Sequence, residues 1–148
     1  MRYLAPVLAV TALLFLGAAQ TPSNHFRYYV QLIQATDSSQ APQPESRAVG
    51  PVLATTLGGA LRWRYYWELC RREVDVPLGG KLHVPLANQR AVEIDLARPG
   101  KRTILAFQHG ELVDRTVVPM GKALSLIGGG REDSTGWFIV VRRDKPGD

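Results

Sequence analysis

Arg62-Trp63-Arg64-Tyr65-Tyr66-Trp67-Glu68-Leu69-Cys70 is the stretch on which the fold turns. Trp63, Tyr65, Trp67 and Leu69 share one parity, and Arg62, Arg64, Tyr66, Glu68 and Cys70 share the other. Period two, carried by aromatic residues, predicts a half-buried strand. A few residues on, Val74 and Val76 carry the apolar parity, so the inward-facing set has changed by one position. A one-residue shift flips every side chain to the other face, so the strand needs a bulge, bend or turn near Arg71-Arg72.

Working outward, His25 to Thr36 alternates in the same way, with Phe26, Tyr28, Val30 and Leu32 opposite Arg27, Gln31 and Ile33. Residues 37–49 are rich in Ser, Pro and Gln and predict an exposed loop. Gly50-Pro51 suits a helix start, because proline is tolerated where the amide has no helical partner. Leu53, Leu57 and Leu61 then fall on one stripe, and Gly58-Gly59 predict an end nearby. Downstream, strands are predicted over Lys81–Leu86, Arg90–Ala97, Arg102–Gln108, Glu111–Val118, Lys122–Ile127 and Trp137–Val141. Gly and Pro turns separate them, His109-Gly110 is a tight hairpin, and Gly128 to Ser134 reads as a flexible loop. The pattern predicts a mainly β fold. An antiparallel meander forms a small sandwich or open barrel, with one short helix after the first strand. One β-rich domain is expected over 25–144, with a tail at 145–148.

The chain opens Met-Arg-Tyr, runs apolar from Leu4 to Leu16, and then reads Gly17-Ala18-Ala19. A short basic start, an apolar run and small residues at −3 and −1 of a cut after Ala19 predict a signal peptide over 1–19, with a short mature tail at 20–24. The run is well short of the ~20 residues a spanning helix needs, and cleavage is favoured over retention as an anchor. No transmembrane segment is expected after cleavage, which places the domain in the periplasm or outside the cell.

Net charge is +5, and removing Arg2 leaves 17 basic side chains against 13 acidic ones, a net of +4. A mild excess favours anionic surfaces without naming one. Export and the small excess argue against nucleic acid. Cys70 is the only cysteine and makes no internal disulfide. Arg71 and Arg72 would favour its thiolate, yet no partner base is local, so a packed strand cysteine is the simpler reading. His25, His83 and His109 have no metal-ligand spacing, and no hydrolase or phosphate-loop motif is present. Neither a cofactor nor an enzymatic function is therefore expected.

The aromatic strand admits two readings. Trp63, Tyr65 and Trp67 suit the inner face of a core, which is favoured, or a stacking platform for a sugar chain. Arg62, Arg64, Tyr66, Trp67, Arg71 and Arg72 form the candidate binding surface. The block from Arg62 to Leu69, with the closing Gly136-Trp137-Phe138-Ile139-Val140-Val141, resembles a group of small exported bacterial β-sheet proteins without assigned activity. That resemblance covers residues 50–144. It implies an exported β-domain and carries over no catalytic residue. The expectation is a non-enzymatic binding or accessory module of the cell envelope, acting through an interface with an envelope protein. The alternative is a domain that binds glycan or an anionic surface through the aromatic strand and the arginines.

Overall fold

The computed structural model describes residues 24–132 and 134–147. The signal peptide read over 1–19, and all of the tail except Asn24, lie outside the described residues. β1 (His25–Thr36) is the centre of the molecule. Its alternation places Tyr28, Val30 and Leu32 in one cluster and Ile33 and Ala35 in another, so both faces are buried. β2 (Arg47–Ala48) is a short strand inside the expected loop, paired with Glu68 and Trp67. β3 (Tyr65–Pro77) lies antiparallel to β1 along its whole length. β4 (Lys81–Pro85), β5 (Arg90–Asp95), β6 (Lys101–Gln108) and β7 (Glu111–Pro119) follow, then β8 (Leu124–Glu132) and β9 (Thr135–Arg142).

Two antiparallel sheets result, ordered β2-β3-β1-β9-β8 and β4-β5-β6-β7. The meander expectation holds for β4 to β7. The first sheet is built by closure, since the last strand returns to pair with the first. Of the two expected architectures the chain takes the sandwich. Tyr28, Val30, Leu32, Trp137 and Ile139 of one sheet pack against Val84, Val92, Ile94 and Ile104 of the other. At roughly 1.5 to 3 kcal/mol for each fully buried aliphatic side chain, this core dominates the stability.

The register switch is present, but earlier than expected. Leu32 faces Cys70 while Ile33 faces Glu68, so Leu69 is the extra residue of a bulge, two residues before Arg71. Leu69 packs in the inter-sheet core and Cys70 against it. This lets Val76 continue the inner face that Leu69 began.

The single helix, α1 (Pro51–Ala60), has Pro51 in its first turn and buries Leu53 and Leu57. They pack with Ile33, Ala35, Tyr66 and Val140 on the outer face of the five-stranded sheet. Gly58 and Gly59 stay helical and the helix ends one residue later. Two further expectations are corrected. Gly128 to Glu132 is strand, because β8 continues along β9 with a bulge between Gly128 and Gly130. Gly128 is required there: a Cβ would stand 2.7 Å from the Phe138 ring. The expected tail also docks, with Pro146 buried and the Gly147 carbonyl against Gly50.

Candidate functional site

The predicted binding residues separate into two groups. Arg62 and Arg64 are exposed just before β3, and the Arg64 amide donates to Asp37 Oδ1 at 3.2 Å. Arg71 and Arg72 follow the bulge, about 20 Å further along by strand rise. Arg71 Nε donates to Glu68 Oε1 at 3.0 Å, and Arg72 Nη1 donates to the Arg71 carbonyl at 3.0 Å. Glu68 is itself buried and accepts from Gln31 Nε2. Tyr66 is not a surface residue. It is 6% exposed beneath α1, its hydroxyl donates to the Trp63 carbonyl at 3.1 Å, and burial pushes its pKa up. Cys70 is half-buried and accepts the Ala87 amide at 3.4 Å, as a packed strand cysteine does.

The aromatic stripe is neither wholly core nor wholly platform. Leu69 is 8% exposed, Trp67 half-buried, and Tyr65 40% exposed, so the inner face of β3 runs out of the core into solvent. Trp63 leaves the stripe and packs with the helix cluster on the outer face. The open end of the stripe, where Gln34 faces Trp67, lies at a mouth lined by both sheets.

A cavity of about 300 Å³ lies in that mouth. The five-stranded sheet contributes Gln34, Thr135, Gly136 and Trp137, and the other sheet Asn88, Arg90, Gln108 and His109. Register explains the first set, since Gln34 faces Trp67 on one side and Trp137 on the other. Turn chemistry explains the second. Asn88-Gln89 and His109-Gly110 are two-residue hairpin turns with positive φ at every position, 55° and 57°, then 51° and 79°. Such turns match strand twist but favour Asn and Gly, so Gln89 and His109 hold a backbone costing about 1 to 2 kcal/mol each. The two turns brace each other. The His109 amide donates to the Gln89 carbonyl at 2.9 Å, and His109 Nδ1 meets Gln89 Oε1.

The floor of the cavity is Trp137, 2% exposed, with the Arg90 guanidinium 4.7 Å from its ring centroid. The indole Nε1 of Trp137 is buried and has no hydrogen-bond partner among the described residues, and the same holds for Trp67 Nε1. An unmet buried donor costs roughly 1 to 3 kcal/mol. The lining has amides, a guanidinium, an imidazole, a hydroxyl and one indole, but no carboxylate among the described residues. Chemically it is a donor-rich pocket with an aromatic wall, suited to holding acceptor oxygens. No group of three or more His, Cys, Asp or Glu side chains that could hold a metal occurs among the described residues, and no described helix is long and apolar enough to cross a membrane.

No protein-family model, no curated protein and no solved structure matches the chain.

The mouth was not predicted from the sequence. Only the two hairpin dipeptides and the Trp67 parity signal it, and neither says that Gln34, Arg90 and Trp137 converge.

Proposed function

We propose that the protein is an exported, non-enzymatic binding module of the cell envelope that holds a glycan at the mouth between its sheets. The observation that carries this is the Arg90–Trp137 pair over a buried indole N–H that lacks an acceptor. A sugar offers hydroxyl or carboxylate oxygens to donors such as the amides and the guanidinium of this lining. Most of the lining side chains are polar and converge on one small cavity from both sheets, as a site that fixes the orientation of such oxygens requires. Strained non-glycine turns at the rim support the same reading, since strain of this kind is kept where a site must be held in shape. On these grounds the glycan alternative is the reading proposed here, ahead of the protein interface.

Tryptophan fluorescence titration with a panel of neutral and acidic oligosaccharides tests it. Saturable binding is expected for at least one class, weakened about tenfold by Arg90→Gln through loss of a charge-assisted hydrogen bond. No saturable change with any sugar would overturn the proposal. A protein interface is kept as a second reading, because Leu112, Val113 and Val117 are exposed on β7, an edge strand. Open edges are pairing templates for another chain. Crosslinking to an envelope protein that disappears in Val117→Lys would favour it.

A further inference from the structure

Three side chains stand in a row across the inner face of the five-stranded sheet at the mouth. Gln34 is opposite Trp67 on one side and Trp137 on the other, and directly opposed residues of antiparallel strands share a face. Both indole N–H groups of this row are buried and lack an acceptor among the described residues. Trp137 is 2% exposed with the Arg90 guanidinium over its ring, so what remains to be met there is the N–H and not the ring face. Asn88, Gln108 and His109 complete the side of the cavity that carries Arg90.

Guanidinium and indole share one property: each donates hydrogen bonds and accepts none. A sugar hydroxyl does both, so it brings a hydrogen that neither group can accept. An ionised carboxylate only accepts, through two oxygens and about four lone-pair sites. No carboxylate lines the cavity among the described residues. Glu93, on the same strand as Arg90, lines a different cavity with His83 and Phe107 and pairs with Lys81 at 3.3 Å.

Resting on the reading above, we infer that the mouth takes one carboxylate-bearing unit at the end of an acidic glycan. The carboxylate pairs with the Arg90 guanidinium and accepts from the Trp137 indole, and the ring hydroxyls meet the amides of Gln34, Asn88 and Gln108. Charge-assisted hydrogen bonds are roughly twice as strong as neutral ones, so the acid outranks a neutral sugar of the same shape. The cavity of about 300 Å³ is at the small end of the ~300 to 1,000 Å³ usual for ligand sites. One unit therefore enters, and the rest of the chain stays in solvent.

The test is isothermal titration of the whole protein with glucuronate and galacturonate, each beside its uncharged amide, and with galacturonate trimer. At least one acid is expected to bind about tenfold or more tighter than its amide. The trimer should bind within about threefold of the monomer, since only its end unit is held. Arg90→Gln, checked for an unchanged circular dichroism spectrum, should bring acid and amide within about threefold of each other. Arg62→Gln, at an exposed arginine outside the mouth, should leave the ratio as it is. Equal affinity of the unaltered protein for acid and amide would overturn this inference and leave the mouth as a neutral-sugar site, and that comparison needs no variant. An acid preference that survives Arg90→Gln would overturn the pairing with Arg90. A trimer bound a hundredfold tighter than the monomer would overturn the one-unit mouth. Displacement of the sugar acid by an equal concentration of acetate would show that a bare carboxylate suffices, and would overturn the sugar. No binding of any sugar overturns the glycan reading itself.

Discussion

Two arginines lie between the same two sheets, each over an aromatic ring, and their surroundings differ. Arg90 is 4.7 Å from the Trp137 centroid at the edge of a cavity, and Arg102 is 5.1 Å from the Tyr28 centroid at 0% exposure. Arg102 Nη2 donates to Ser125 Oγ at 2.6 Å and to the Lys122 carbonyl at 3.0 Å. Its Nε and Nη1 have no partner among the described residues, nor does the Tyr28 hydroxyl. The same side chain on the same kind of ring is thus a cavity-lining donor at one end and a desolvated charge at the other. What separates them is whether an acceptor can enter.

The largest effect that would break this contrast is on stability. Arg102→Met should raise the unfolding free energy by about 1 to 4 kcal/mol in denaturant titration, as replacing buried charge often does. Arg90→Met should change it by no more than about 0.5 kcal/mol, as partly exposed substitutions do. If Arg102→Met destabilises, the sealed charge is compensated and the two arginines are alike. At the open end, Trp137→Phe keeps the ring and removes the N–H. It should weaken sugar binding about fivefold to tenfold, the worth of one hydrogen bond, with the fold retained. Unchanged affinity would show that the indole N–H is not a ligand contact.

A sealed hydroxyl extends the comparison to pH. Burial raises the Tyr66 pKa above its ordinary value of about 10. Its contribution is therefore complete below pH ~10 and is lost as pH rises through the folded-state value. Thermal melts should fall above pH ~10, and Tyr66→Phe should flatten that fall. The smallest effect belongs to fully exposed Arg27, which pairs with Asp75 at 2.9 Å and with Glu73 at 2.9 Å. The Arg27 guanidinium holds the Asp75 carboxyl below the usual carboxylate range. That contribution is present above pH ~4 and disappears as pH falls through the lowered value. Asp75→Asn should reduce the acid sensitivity slightly, and less still at high salt, because exposed pairs are screened.

Legibility followed the range of the interactions. β1, β3 and β5 show in the chain because each alternates locally, and the bulge shows because Leu69 and Val76 disagree in parity. The helix shows through Leu53 and Leu57. The strand through Gly128 did not show, since glycine carries no periodic signal and its reason is the Phe138 ring on a neighbouring strand. Arg102 looked like any polar residue at a strand start, and only the packing of β8 beside it removes its water. The mouth is the extreme case. Its residues come from β1, the two turns and β9, and no local pattern ties Gln34 to Arg90 or Trp137.

The pairing of β1 with β9 has a consequence in time. Tyr29 in the first described strand faces Arg142 in the last. During synthesis β1 can find β3 early, but its second edge stays open until β9 has been made. Long-range strand pairing is slow, because the loop entropy must be met before the contact forms. The molecule therefore completes its five-stranded sheet last, and a chain cut short anywhere before Thr135 leaves the middle strand of that sheet with one side bare.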